Sequence, residues 1–235
     1  HPMPYGDLRA QAVQRFSSYE DFEEHHCTLE EREEYEPLVD QGIVVYGGVD
    51  YRRILEAAEQ EADIIVWDGG NNDTPFYYPL VHIVLFDAHR PGHELAYYPG
   101  ETNMLMAHIA VINKVDTAPP DNVEEVRRNI ERYAPNARIV LAESPVLVSH
   151  PERIRGRRVL VVEDGPTLTH GGMGYGAGFV AALKHGAAEI IDPRPYVVGS
   201  ICEVYRLYPE IGPILPATGY SADQIRDLEL SINRI

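Results

Sequence analysis

Positive charge is scarce in this chain, and lysine scarcer still. Thirty-seven Asp and Glu face 20 Lys and Arg, for a net charge of -17 at pH 7. Only Lys114 and Lys184 are lysines, and the remaining basic residues are arginines. Such a field argues against diffuse binding to nucleic acid or to an anionic membrane. An anionic substrate would need a local basic pocket. Cysteine is nearly absent too: Cys27 and Cys202 form no CxxC pair, which points to a reducing, cytoplasmic setting without a disulfide framework. No stretch approaches the roughly 20 apolar residues of a membrane span, and none reads as a signal peptide. The phosphate-binding pattern GxxxxGK[ST] is missing, because neither lysine follows a glycine.

What is present suffices for a folded core: 44% of 235 residues are hydrophobic, enough for one or two domains. The chain opens on His1 and closes on a helical pattern, so it reads as a segment of a longer protein. A GxxxxGK[ST] loop would then precede His1. The pivotal stretch is EADIIVWDGGNND, residues 61–73. Its run 64–67 reads as a strand buried on both faces, which delivers Asp68 to the strand's carboxyl end. An acid there, followed by glycines, suits a Mg²⁺ ion beside a nucleotide's terminal phosphate. An ordinary strand ending in an Asp-Gly turn is the plainer alternative.

Around this stretch the pattern alternates. Residues 8–22 and 29–41 read as helices, the second opened by a capping box of Thr28 and Glu31. Strands are expected at 43–46, 64–67, 82–86, 109–112, 138–142, 159–162 and 188–191. Helices fall at about 50–60, 101–107, 121–133, 174–185, 198–208 and from 221 onward. Strands separated by helices predict an α/β fold: a mostly parallel sheet flanked by helices, P-loop NTPase-like, followed by a further βα unit. The boundary is placed at 150, between a core over 1–150 and a C-terminal α/β portion over 151–235. Functional loops should cluster at the strand carboxyl ends.

Directly after the strand at 109–112 stands Asn113-Lys114-Val115-Asp116, the NKxD pattern with which GTPases recognise guanine. The Asp carboxylate can accept two hydrogen bonds from guanine, the Lys stem lies over the ring, and Asn braces the loop. A chance four-residue match is the alternative. Ser144, after the next strand, occupies the place of a small base-contacting loop. A second candidate is VEDGPTLTHGGMGYGAG, residues 162–178, in which glycines at 171, 172, 174, 176 and 178 would let amides approach phosphate oxygens. Ten residues separate its strand from Gly172, too many for a tight dinucleotide turn, and a simple flexible loop is the alternative. Near it lie Glu163, Asp164, His170 and Arg194. In HRPGH, the HxxxH spacing of His89 and His93 resembles a zinc pair, but Pro91 and Gly92 deny both rings a common helix face; phosphate binding by Arg90 and His93 is the better reading, and an ordinary polar loop is as good.

Taken together, HPMPYGDL, WDGGNND, HRPGHEL, NKVD and VEDGPTLTHGGMGYGAG resemble the cyclic 2,3-diphosphoglycerate synthetases and their relatives, often labelled GTPases, over essentially all of 1–235. The resemblance implies an ATP-dependent ligase that closes an intramolecular phosphoanhydride in 2,3-diphosphoglycerate, with ATP (or GTP) and Mg²⁺ as cofactors. Its partner would be a small anionic phosphorylated substrate, and the family allows a homodimer. It implies catalytic roles for Asp68, Asp164 and His170, and metal binding by Asp68 and Glu163. Nucleotide binding would fall to Asn113, Lys114, Asp116 and Ser144. Substrate contacts would come from Arg90, His93, Gly171, Gly172, Gly174 and Arg194. The alternatives are a GTPase acting as a regulatory switch or metallochaperone, and a noncatalytic small-molecule binding module.

Overall fold

The computed structural model describes residues 7–70, 73–164, 168, 174–217 and 221–235. The chain divides into two compact units, His1–Pro145 and Val146–Ile235. Both are α/β, built around parallel strands with flanking helices, an arrangement consistent with the P-loop-like fold read from the sequence.

The first unit opens differently from its sequence pattern. Where a helix over 8–22 is expected, the chain forms strand β1, Gln14–Phe16, and a short helix α1, Tyr19–Glu24. β1 pairs antiparallel with β2, Val45–Gly47, and sets Arg15 opposite Tyr46. Between them runs α2, Leu29–Val39, opened by the expected box in which Thr28 and Glu31 cap each other's backbone. A local aromatic core explains the departure: buried Phe16 packs 5.5 Å from the Phe22 ring and 5.1 Å from Tyr35. A tertiary cluster of this size outweighs the small propensity differences that favoured a helix. Helix α3, Tyr51–Ala58, follows with Asp50 accepting the Arg53 amide, and it buries Ile54 and Ala58 four residues apart on one face.

The main sheet of this unit is parallel, in the order β3 (Ile83–Asp87), β4 (Ile109–Asn113), β5 (Arg138–Leu141). Helices α4 (His93–Ala96) and α5 (Gly100–Met106) link β3 to β4, and α6 (Pro120–Tyr133) links β4 to β5. α6 starts on Pro120, a residue whose missing N–H is harmless in the first turn, one position before the expected start at 121. Phe86, Ala110 and Ile112 on one sheet face meet Met104, Val126 and Ile130 from α5 and α6. Each such large side chain contributes about 1.5–3 kcal/mol when fully buried. The opposite face is less covered: Ile83 is 53% exposed and Leu85 65%.

The expected strand at 64–67 is not formed. Residues 62–70 carry no ladder hydrogen bonds, and Ile64 and Val66 are 83% and 84% exposed. An apolar run becomes a parallel strand only beside a paired neighbour, and this run pairs with no strand among the described residues.

In the second unit a 3₁₀ turn, Pro151–Arg153, leads to β6 (Arg158–Val159) and β7 (Val162–Asp164), which replace the single expected strand. β6 pairs in parallel with β8 (Glu189–Ile190), and β7 with β9 (Leu215–Ala217). β9 lies between the helices expected at 198–208 and from 221 onward, in a Pro-containing stretch where no strand is expected. Helices α7 (Ala177–Lys184), α8 (Ser200–Leu207) and α9 (Ala222–Ile232) complete the unit. Its core joins Val161, Leu168, Ala182, Ile211 and Ile214. Among the described residues, no helix is long and apolar enough to cross a membrane.

Candidate functional site

The carboxyl edge of the β3–β4–β5 sheet gathers the best-defined polar cluster of the first unit. Asp87 and Asn113 are register partners on the last rung of the β3–β4 pair. Lys114 comes next, with φ of 61°, a left-handed conformation uncommon outside glycine. The amides of Thr117 and Ala118 both donate to its carbonyl, which holds the turn. Its ammonium reaches across to Asp87 Oδ2 at 2.9 Å. Burial works to raise the Asp87 pKa, but the Lys114 hydrogen bond, the His89 amide at 3.0 Å and the nearby Arg90 charge outweigh it. The carboxyl therefore stays below its ordinary range.

Two further bonds stitch the next loop in place. Asp116 Oδ1 accepts the Ser144 amide at 3.0 Å, and the Val115 amide donates to Ala142 at 3.2 Å. Asn113, Lys114, Asp116 and Ser144, named from sequence as one group, thus lie on one connected edge. Asp116 is exposed, and its second oxygen has no recorded hydrogen bond among the described residues. His89 Nε2 is hydrogen-bonded to Thr117 Oγ1 at 2.9 Å, tying the β3 loop to the β4 loop. Asp87 and Thr117 were not singled out from sequence as site residues, and His89 was weighed only as half of a zinc pair with His93. The signal was their position, at or within a few residues of the carboxyl ends of adjacent parallel strands.

Other expected residues are arranged less tightly. Arg90 Nε lies 3.7 Å from Asp87 Oδ2, while His93 opens α4 with its ring edge-on to Tyr97. Asp68 is exposed on the extended segment, where Trp67 folds over Gly69 so closely that an added Cβ would sit 2.5 Å from the indole. Asp68 has no recorded partner among the described residues. The segment regains an anchor at Asp73, whose carbonyl accepts from the buried Asn103 at 2.9 Å.

In the second unit, Glu163 is buried and its Oε1 accepts the amides of Gly176 at 3.1 Å and Phe179 at 2.8 Å. The positive start of α7 is therefore filled by a carboxylate of the chain itself. A Cβ on Gly176 would lie 2.4 Å from Glu163 Oε2, so glycine is required by this cap. Gly174 packs backbone to backbone against Glu210 and Gly212, its carbonyl accepting the Gly212 amide at 2.7 Å. Arg194 donates to the Ile211 carbonyl at 2.7 Å, pairs with Asp192 at 3.1 Å and sits over the Tyr205 ring. Asp164 is exposed at the end of β7. His170, Gly171 and Gly172 lie outside the described residues. A groove of about 510 Å³ in this unit is walled by apolar groups including Val148, Val161, Ala177 and Ala181.

Among the described residues, no three His, Cys, Asp or Glu side chains converge as a metal site. Mg²⁺ does not require such a cage, because it commonly keeps waters and binds through one or two carboxylates plus substrate phosphates. Asp68, exposed and without a partner among the described residues, fits that role, whereas Glu163 has one oxygen committed to the α7 cap.

These elements define an α/β protein with parallel strands and a polar carboxyl edge carrying an NKxD loop. No family model matches the chain, and no solved structure matches it. Among proteins of assigned function, arginine synthetase ArcE of Thermococcus kodakarensis is 64% identical over 234 residues, which cover 100% of this chain and 52% of the relative. The chain thus spans about half the length of the curated relative it matches. That relative carries the name of an enzyme, a synthetase. The finding overturns the expected closure of cyclic 2,3-diphosphoglycerate, since the name denotes the making of arginine. It equally removes support from the regulatory GTPase or metallochaperone reading. Loops that bind nucleotide or phosphate do not by themselves fix the acceptor.

Proposed function

We propose that the chain is part of a nucleotide-driven synthetase that forms arginine. The observation that carries this is the 64% identity, spread along the whole chain, to arginine synthetase ArcE. The chemistry sets the requirements. Replacing the oxygen of a ureido group by nitrogen gives a guanidinium, and that oxygen is a poor leaving group. Transfer of a phosphoryl group from ATP (or GTP) onto the ureido oxygen makes it a phosphate ester. Ammonia then attacks the carbon, the C–O bond breaks, and inorganic phosphate departs with the oxygen. Positioning and charge neutralisation supply most of the catalysis in such a transfer.

Within this reading, Asn113, Lys114, Asp116 and Ser144 hold the nucleotide base at the carboxyl edge of the sheet. Lys114 offers its stem to the ring face, and Asp116 Oδ2, which has no hydrogen bond among the described residues, accepts from the base. Asp68 is the residue that would hold Mg²⁺, which when bound neutralises phosphate charge. Arg90 and His93 are proposed to meet anionic oxygens of nucleotide or intermediate. The ligands are small molecules, and a homodimer is part of the proposal.

The test is direct. The native protein is supplied with a ureido amino acid, ammonium, Mg²⁺ and ATP or GTP, and arginine and free phosphate are measured. One arginine per nucleotide consumed is expected; nucleotide turnover with no arginine in any combination defeats the reading.

A further inference from the structure

Resting on that nucleotide site, we infer that Asp87 is a positioning residue for nucleotide recognition: it anchors the Lys114 ammonium so that the lysine stem is held ready beneath the base. The lysine side chain is long and flexible, and a free one would have to be ordered each time a nucleotide binds. Here both of its ends are fixed. The backbone is locked in the left-handed region by the Thr117 and Ala118 amides on the Lys114 carbonyl. The head is held by Asp87 Oδ2 at 2.9 Å.

Asp87 is itself fixed. The β3–β4 ladder ends on it, the His89 amide holds its other oxygen, and Arg90 Nε stands 3.7 Å away. Arg90 therefore backs the anchor, besides any contact with phosphate. An ammonium already satisfied by a carboxylate has little reason to turn toward the base. Base choice is then left to Asp116 and the loop of Ser144, and Lys114 contributes affinity for any purine.

A double-mutant cycle on nucleotide affinity tests the inference, with fluorescent ATP and GTP analogues titrated into the native protein. Asp87→Asn keeps an acceptor for the His89 amide but loses the charge. It is expected to weaken both nucleotides by about 5- to 10-fold, at the lower end of ordinary site coupling, with the rate of arginine formation at saturating nucleotide unchanged. Lys114→Met keeps a stem and loses the head, and should weaken binding similarly. Adding Asp87→Asn to Lys114→Met should change nothing more. Asp87→Glu, which retains the charge, should bind more tightly than Asp87→Asn, and Asp87→Ser, uncharged and smaller, takes the place of Asp87→Asn in the cycle if the latter fails to fold.

Equal weakening by Asp87→Asn on both lysine backgrounds would overturn the inference, as would unchanged affinity in Asp87→Asn. If Asp116→Ala still abolishes binding in that case, the nucleotide site stands and only the anchor is lost. If neither Asp116→Ala nor Lys114→Met affects binding, the nucleotide site itself is misplaced.

Discussion

Glu163, at the middle of β7, accepts the amide of Phe179 at 2.8 Å across the start of α7. A buried side chain thus caps a helix that has no cap of its own at Gly176. Replacing it with alanine leaves two amides unsatisfied and opens a void, at a cost of about 1–3 kcal/mol. Gly176→Ala should destabilise by the same route, since its methyl would strike the carboxylate. Thermal unfolding of both variants checks this, and unchanged midpoints would show that the cap carries no stability.

The same device recurs at α8. Asp227, from α9, accepts both the amide and the hydroxyl of Ser200, at 2.8 and 2.9 Å, and the Ser200 amide above all keeps its carboxyl below the usual range. Gly199 beside it has φ of 53°, and an added Cβ would fall 2.1 Å from Asp227 Oδ2. Gly199→Ala therefore meets backbone strain and a clash together. Its unfolding midpoint should drop by more than that of Asp227→Ala, measured by circular dichroism. The reverse order would contradict the geometry.

A pH dependence follows from Glu61. Arg15 grips it with two nitrogens at 2.7 Å each, and Tyr46 adds a hydroxyl bond. These contacts, Arg15 first, hold the Glu61 pKa at about 2. A depressed carboxyl contributes stability that is fully present above its unfolded pKa and disappears as pH falls through the folded one. The stability gap between the native chain and Glu61→Gln should therefore be constant at neutral pH and close between about pH 4.5 and 2. The pair is partly exposed, so the gap should also shrink in salt. A gap independent of pH would show that the pair contributes nothing.

Asp68 separates catalytic from structural importance. It is exposed and bonded to nothing recorded among the described residues, so Asp68→Asn should alter stability by no more than about 0.5 kcal/mol. If it holds the metal beside the phosphates, arginine formation should nevertheless fall by about 100-fold or more, the scale seen when a single charge-stabilising group is removed. Near-native activity at saturating Mg²⁺ would exclude the role.

Much of the sheet was legible because its elements carry their own signals. The apolar runs of β3, β4 and β5, the Thr28–Glu31 box and the left-handed Gly186 that follows α7 are local features. The run at 64–67 misled because a parallel strand depends on its neighbours, and its own residues cannot supply them. β1 was hidden because Phe16, Phe22 and Tyr35 lie on three different elements and meet only through space. β9 was hidden by Pro213 and Pro216, which discourage a strand reading even though Leu215 donates to the Val161 carbonyl at 2.8 Å. At the candidate site, NKVD was visible as a motif. Its anchor Asp87 was not, because the link spans 27 residues and exists only once β3 and β4 lie side by side. The reaction was least legible of all, since phosphate-handling loops serve many acceptors.

Isotope transfer tests the central claim most directly. A ureido amino acid carrying ¹⁸O in its ureido oxygen is turned over by the native protein with ATP, Mg²⁺ and ammonium, and the phosphate released is examined by mass spectrometry. The account predicts one labelled oxygen in that phosphate for every arginine formed. Arginine appearing with the label in water, or with unlabelled phosphate, would contradict it.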